Sequence, residues 1–428
     1  MSSLQLEDST EADLKNSWQR WFLLCLLNTG LLFCYIHRGA LSIAAPYMIR
    51  ELGVRKDVMG LLLSSFFLTY AFLQTPAGWV VDRLGVRRTY AFGYLLGSVA
   101  AAAAGLVATN TWALFTARLS LGIGQSAIFP ASSRAMANWF KESERGTVTA
   151  LFLAGNRLGQ ALNNHFGVPL LQVTGLQIFF FTSGIIPLLW LLPWVFFLRM
   201  WDGTVKSGSQ TAEKSELSFF ESFALLKQRS ALGIFLGFFA YDYVWFLYLS
   251  WLPAYLSSDR KFSDKEMGIF SSVPYIIGLI ISLFSGVLSD WFVRRGYDEV
   301  RVRKCFIVTG LALACLIVPA GIVEDRMTAV YLMSLSLCGL NISAPNTWSL
   351  TQVVCERRIV GTMAGNQNFG GNVGGIIAPL LSGYIAQKTD SFALAFGIAG
   401  LILAIGIVAY GFLVSEKVTA KTRENENR

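Results

Sequence analysis

Long apolar runs alternate with short polar segments from one end of the chain to the other. They fall at roughly 21–49, 58–81, 89–108, 111–140, 147–173, 177–198, 231–257, 267–292, 305–323, 328–354, 360–386 and 391–414. Most exceed the ~20 residues that a helix needs to cross ~30 Å of hydrocarbon. An open strand would leave backbone groups unpaired in lipid, so the pattern predicts about twelve transmembrane helices. The one long polar stretch between spans, 201–230, carries Lys206, Ser207, Gly208, Ser209 and Gln210, then an amphipathic piece around Phe219 to Leu226. It divides the spans six and six. The expected organisation is an N-terminal half over 1–200, a linker over 201–230 and a C-terminal half over 231–428, each half with a short tail.

Three segments occur twice. Gly78-Trp79-Val80-Val81-Asp82-Arg83-Leu84-Gly85-Val86-Arg87-Arg88 is echoed by Gly286-Val287-Leu288-Ser289-Asp290 with Arg294-Arg295. Ala154-Gly155-Asn156, followed by Pro169-Leu170-Leu171, recurs as Ala364-Gly365-Asn366 before Pro379-Leu380-Leu381, and Gly124 to Pro130 recurs as Gly339 to Pro345. Matches at nearly one offset, about 210 residues, describe two related halves. In a membrane protein such duplication points to a transporter that rocks one half against the other around a central site.

Composition agrees with lipid as the solvent: 54% of residues are hydrophobic and 14% charged, with a mean hydropathy of +0.51. The net charge of +8 reports topology, because placing both termini in the cytoplasm puts most Lys and Arg in loops on that side. It does not indicate nucleic-acid binding, since the charges lie in short loops and form no basic face. Met1 to Lys15 is polar and acidic and lacks the features of a cleaved signal peptide. The expected location is the inner cell membrane, multi-pass, with a monomer in the bilayer. Cys25, Cys34, Cys305, Cys315, Cys338 and Cys355 lie in or at the ends of spans, without paired or metal-ligand spacing, and read as apolar filler. No metal cluster, nucleophile–base pair or cofactor loop is present in the sequence, so neither an enzyme nor a cofactor is expected.

Candidate chemistry lies at membrane depth. Arg38 falls near the middle of the first span and Arg118 in the fourth. An arginine there costs about 2.5–3.5 kcal/mol, so it should face a polar interior and have a partner. Guanidinium matches a carboxylate or phosphate in bidentate geometry, and neither arginine has a carboxylate near it in sequence. An anion would supply the missing charge; backbone carbonyls and helix ends are the alternative. Arg157, next to Asn156, is a third deep cation, which either reaches the cavity or pairs with Asp242 or a helix end. Asp242, in Tyr241-Asp242-Tyr243, is the acidic residue deepest in a span, and with His37 it is a candidate proton carrier. Asn368 and Asn372 share a helix face beside Gly370, Gly371, Gly374 and Gly375. Their amides, with Asn366, bind either substrate or another helix. Trp348 offers a stacking face or a packing surface, and His165 reads as a surface or packing residue.

The G-x-x-x-D-R-x-G-x-R-R segment from Gly78 to Arg88 resembles the signature loop of the major facilitator superfamily. The resemblance implies an all-α membrane protein with twelve helices in two pseudo-symmetric halves. It also implies a cytoplasmic gate with Asp82 and Arg83 at a helix end turned at Gly85, where Asp82 pairs with an arginine such as Arg134 or Arg145, and with Asp290 in the weaker copy. Tyr35 to Ser42, Tyr70 with Gln74 to Gly78, Arg118 to Gln125 with Phe129-Pro130, Asn138-Trp139-Phe140 with Glu144-Arg145, Trp251 to Leu256 and Asn368 to Gly375 are similar to the anion:cation symporter branch. That branch includes sugar-acid importers for galactonate, glucarate and hexuronates. The likeness implies transport of a small organic anion by alternating access with proton symport. The substrate residues it implies are Tyr35, Arg38, Tyr70, Arg118, Gln125, Asn156, Trp348, Asn368 and Asn372. The chain departs from the branch at two positions: His37 and Gln125 stand where acidic proton carriers are usual. An organophosphate or anion exchanger, a uniporter, an exporter of amphipathic compounds and a non-transporting anion sensor are the alternatives.

Overall fold

The computed structural model describes residues 3–140, 144–199, 222–356 and 359–419. The side chains of 3–17, Thr75, Asp82, Arg145 and 197–199 are not described. Most of the linker expected over 201–230 lies outside the described residues; from its end, Phe223–Lys227 forms a 3₁₀ turn. The N-terminal helices are α1 (Ser3–Glu51), α2 (Lys56–Leu84), α3 (Val86–Leu106), α4 (Thr111–Gln125), α5 (Ile128–Trp139), α6 (Arg145–Leu188) and α7 (Leu191–Arg199). The C-terminal helices are α8 (Arg229–Ser258), α9 (Asp264–Arg294), α10 (Glu299–Ala314), α11 (Ile317–Ile322), α12 (Arg326–Val354), α13 (Val360–Thr389) and α14 (Ala393–Val408), ending in a π-helical turn at Ala409–Leu413.

Among the described residues, 10 helical windows are long and apolar enough to cross a membrane. One of these, Thr147–Phe196, is 50 residues long and turns inside α6 at Gly175 (φ 76°, ψ 172°). Only glycine adopts that backbone freely, so the window counts as two crossings. A further crossing is made by α4 and α5 together, which completes the twelve.

Three spans read from the sequence as continuous are interrupted, after Gln125, Leu188 and Ala314. The residue just past each break (Ser126, Leu189, Cys315) lies four positions before a proline (Pro130, Pro193, Pro319). Proline has no N–H to donate to that carbonyl, and its ring crowds it, so the helix bends there.

The internal repeat has a structural counterpart. A Cβ at Gly93 of α3 would lie 2.5 Å from the Gly124 carbonyl of α4, and one at Gly310 of α10 would lie 2.5 Å from the Gly339 carbonyl of α12. Each half therefore has a glycine-to-glycine backbone crossing at the matching position. Pro130 faces Gly78 and Pro345 faces Gly286 in the same corresponding way. Large apolar side chains such as Phe92, Leu106, Ile280, Leu401 and Phe412 stay exposed around the bundle, where lipid would cover them.

The halves meet along α1 with α8, α2 with α13, and α6 with α9. One end of this seam, at the α1–α2 turn, is closed. Lys56 Nζ pairs with Asp390 at 2.7 Å and Arg50 with Asp264 at 3.3 Å. The Lys56 backbone N–H donates to Gln387 Oε1 at 2.7 Å. Beneath them Ser42 Oγ donates to the Ser250 carbonyl at 2.8 Å, Ser64 Oγ to that of Ile376 at 2.8 Å, and Asn164 Nδ2 to that of Ser271 at 2.9 Å. At the other end a strap at 414–419 ties the C-terminal half together: Val418 N–H donates to the Val354 carbonyl at 2.9 Å, and Lys304 Nζ to that of Val414 at 2.7 Å.

The Lys56–Asp390 pair generates a prediction. The ammonium holds the Asp390 carboxyl below its ordinary value of 3.8. A lowered carboxylate supports the closed state fully above that value and stops doing so as pH falls through its own lower one. Asp390→Asn should therefore raise impermeant-maleimide labelling of a cysteine placed at the buried Ala45 by about twofold to fivefold, as expected for an ion pair at the surface. The increase should be the same at pH 6 and pH 8.

Candidate functional site

Arg38 organises the centre of the N-terminal half. It lies one turn past Tyr35 on α1, facing Phe66 and Tyr70, which are one turn apart on α2. The guanidinium carbon sits 4.8 Å from the Tyr35 ring, 4.7 Å from Phe66 and 4.5 Å from Tyr70. Aromatic faces attract a cation without neutralising it. Arg38 Nε donates to Gln125 Oε1 at 2.7 Å, while its Nη2 has no partner. Gln125, the last residue of α4, thus gives a neutral acceptor where the family resemblance implies a carboxylate.

That bond fixes the Gln125 amide. With its oxygen taken by Arg38, its NH₂ faces the Cys34 carbonyl at 3.3 Å and His37 Nδ1 at 3.4 Å. Nδ1 then accepts, and the neutral imidazole carries its proton on Nε2. His37 borders a small cleft within the N-terminal half, lined also by Ala40, Ala101, Ala104, Arg118, Phe180 and Ser183, whose backbone lies within hydrogen-bonding reach of the imidazole. Arg118 borders this cleft, one layer behind Arg38. Its Nη1 donates to the Arg38 carbonyl at 3.4 Å, and its Nε is unpartnered.

Arg157 reaches the seam between the halves. Its Nε donates to Asn341 Oδ1 of α12, its Nη1 to Asn156 Oδ1 at 3.3 Å, and its guanidinium lies 5.6 Å from the Trp245 ring of α8. Its hydrogen bonds among the described residues go to these amides and not to Asp242. Asp242 is buried in α8, with no hydrogen bond or ion pair to a described residue. Its carboxylate rests on α13 at Gly371, where a Cβ would come within 2.0 Å of Oδ2. Tyr35 lies within the electrostatic reach of Arg38, Arg157 and Asp242 together.

The amides of α13 do different jobs. Asn368 Nδ2 donates to Gln74 Oε1 of α2, and Asn372 Nδ2 to the same oxygen at 3.3 Å. Gln74 Nε2 in turn donates to the Tyr70 hydroxyl at 3.4 Å, linking the Arg38 nest to the C-terminal half. Asn366 instead binds Ser222, donating to its carbonyl at 2.8 Å. Trp348 is half-buried and packs edge-on against Phe238, with ring centroids 5.1 Å apart. His165 is exposed and meets Phe166 edge-to-face, with ring centroids 4.9 Å apart.

The expected gate is only partly described. Gly85 turns the chain with φ 81°, and Arg83 lies over the Trp79 ring at 3.6 Å. The Asp82 and Arg145 side chains are outside the described residues, and Arg134 is exposed. In the C-terminal half Asp290 pairs with Arg303 at 2.6 Å, and Arg303 also donates to Ser289 Oγ at 2.7 Å.

Sequence reading passed over Phe66, Gln74, Trp245 and Asn341 as site residues. Gln74 was detectable, four residues after Tyr70 and so on its face of α2. The other three sit in apolar runs with nothing to distinguish them before the helices are packed.

A bundle of two six-span halves, with buried cations beside the seam and amides bonded across it, is the architecture of a membrane transporter. The Major Facilitator Superfamily matches residues 27–379, and the chain belongs to that family. It is 30% identical over 92% of its length, and 89% of the relative's, to the probable L-galactonate transporter of Escherichia coli (strain K12). It is 31% identical over 86% of its length, and 88% of the relative's, to the hexuronate transporter of Bacillus subtilis (strain 168). These relatives are transporters, not enzymes. The fold is similar to that of a bacterial homolog of the human lysosomal transporter Spinster, in an inward-facing and occupied conformation. That likeness has a TM-score of 0.71 at 14% identity, over 92% of this chain and 96% of that one.

Gly371→Ala should crowd the Asp242 carboxylate and cost about 1–3 kcal/mol as overpacking. In an Asp242→Ala background the share due to the carboxylate should disappear, leaving the contact with Phe238, whose ring would lie 2.8 Å from the same Cβ. Melting temperatures of the four proteins in detergent form the double-mutant cycle that checks the contact.

Proposed function

We propose that this protein is a secondary transporter that carries a small organic anion, of the sugar-acid class, through a site between its two halves by alternating access with proton symport. The observation that carries this reading is Arg38: a buried guanidinium, framed by three aromatic rings, with one N–H edge unpartnered and only a neutral amide beside it. A carboxylate fits that edge and removes an electrostatic cost that the protein itself leaves standing. The named substrates of the relatives, galactonate and hexuronate, belong to the same class. Tyr35, Tyr70, Asn156, Trp348, Asn368 and Asn372 would shape the rest of the lining, and Arg118 would support Arg38 from behind. With the termini cytoplasmic, the closed end is the outer one, so this state would face inward. Asp82, Arg83 and Arg134 would lock the opposite end in the other state.

Two groups would handle the proton. A second proton on His37 would meet the Gln125 NH₂ at Nδ1, donor against donor, unless the amide turned over. That rotation would withdraw the acceptor from Arg38 and free its Nε for substrate. Asp242, buried against Gly371 and within electrostatic reach of Tyr35 and Tyr70 of the other half, is the other candidate.

Uptake of labelled galactonate, glucuronate and the diacid glucarate by proteoliposomes, with and without an inward proton gradient, tests the reading. Accumulation should require the gradient, and His37→Gln or Asp242→Asn should abolish its effect while preserving counterflow. Gradient-independent uptake would sink the symport, and absence of any acid uptake would sink the substrate class. Gln125→Glu makes a separate prediction. A carboxylate placed against Arg38 should weaken acid binding about tenfold at pH 8, when ionised, and restore it as pH falls and the group protonates. Titration calorimetry across that pH range reads it directly.

A further inference from the structure

The centre of this protein carries more positive charge than one carboxylate can neutralise. Arg38, Arg118 and Arg157 are buried to 4%, 5% and 6% exposure, against a single buried carboxylate among the described residues, Asp242 at 8%. Guanidinium remains protonated in proteins. None of the three forms an ion pair with a described residue: their acceptors are Gln125 Oε1, the Arg38 carbonyl, Asn341 Oδ1 and Asn156 Oδ1, all neutral. With Asp242 ionised the cluster retains two positive charges, and with it protonated three.

The three arginines are not equivalent in placement. Arg118 lies behind the α1 backbone and faces the inner cleft. Arg38 and Arg157, from α1 and α6, both act on Tyr35. They differ in setting: Arg38 is enclosed by N-terminal rings, whereas Arg157 extends across the seam to Asn341 and Trp245 of the other half. We propose that the substrate is a dianion, with one acidic group on Arg38 and a second on Arg157. This rests on the anion-transport reading above and narrows it. A second acidic group arriving at Arg157 would compete with Asn341 and loosen a bond that joins the halves. Binding of the complete substrate would therefore act on the seam itself, and a monoanion bound at Arg38 alone would leave that bond in place.

The test uses acids matched in everything but the second charge: D-glucarate against D-gluconate, and malate against lactate for a shorter spacing. Affinities are measured by calorimetry on the full chain in detergent. In at least one pair the diacid should bind about tenfold or more tightly than its monoacid. Arg157→Gln should remove that preference by weakening the diacid while leaving the monoacid within about twofold, as expected when one charged contact is lost. Arg157→Lys, which keeps the charge, should retain part of the preference, and it serves where Arg157→Gln does not fold. Equal binding of monoacid and diacid in both pairs would overturn the dianion while leaving anion transport intact. So would an Arg157→Gln variant that weakens both acids alike, since that marks a contact between halves only. No binding of any of the four acids would overturn the anion reading and the dianion with it.

Discussion

A guanidinium held in a membrane interior without a carboxylate sets the terms for everything packed around it. Lipid cannot solvate Arg38, and α1 offers no acidic neighbour, so the N-terminal half surrounds it with three ring faces and one amide oxygen. These partners lower the cost of burial but leave the charge in place. The identity of residue 125 decides that outcome. A carboxylate there would close the ion pair internally, whereas the glutamine binds one N–H and leaves another edge open. The same amide then dictates the tautomer of His37, so the cation and the imidazole share one hydrogen-bonding unit.

The surrounding architecture lets that unit meet the other half without rigidly joining it. Each half is compacted by a glycine crossing, Gly93 on Gly124 and Gly310 on Gly339, where backbones approach with no side chain between them. Contact between halves adds polar groups to the same device. At the closed end two ion pairs and a few side-chain hydrogen bonds to carbonyls accompany a glycine approach, a Cβ at Gly60 falling 2.6 Å from the Pro379 carbonyl and one at Gly383 2.5 Å from that of Lys56, and at the centre lie single amide and guanidinium contacts such as Gln74 with Asn368 and Arg157 with Asn341. Interactions of this type exchange partners at little net cost.

Much of this was legible in the residues. Length and apolarity of the runs require helices across a bilayer, because lipid leaves the backbone no other way to satisfy its hydrogen bonds. The duplicated segments announce two halves, and the Gly124/Gly339 and Pro130/Pro345 pairs proved to be matching contacts in each. Arg38, Arg118, Arg157 and Asp242 stand out because a charge in an apolar run is costly wherever it points. Even the helix breaks at Ser126, Leu189 and Cys315 could have been read from the prolines four residues later.

Direction and partnership were decided only by the tertiary structure. Three arginines look alike in sequence, yet one is enclosed by rings, one turns to an inner cleft and one crosses to the other half. Asn366, Asn368 and Asn372 sit within two turns of one helix, and the first binds the end of the linker while the other two bind Gln74. The reason is physical. The cost of burying a charge is a property of the residue and its solvent, which sequence records. The partner that meets that cost depends on how helices distant in the chain are rotated and packed, and only the assembled bundle determines that.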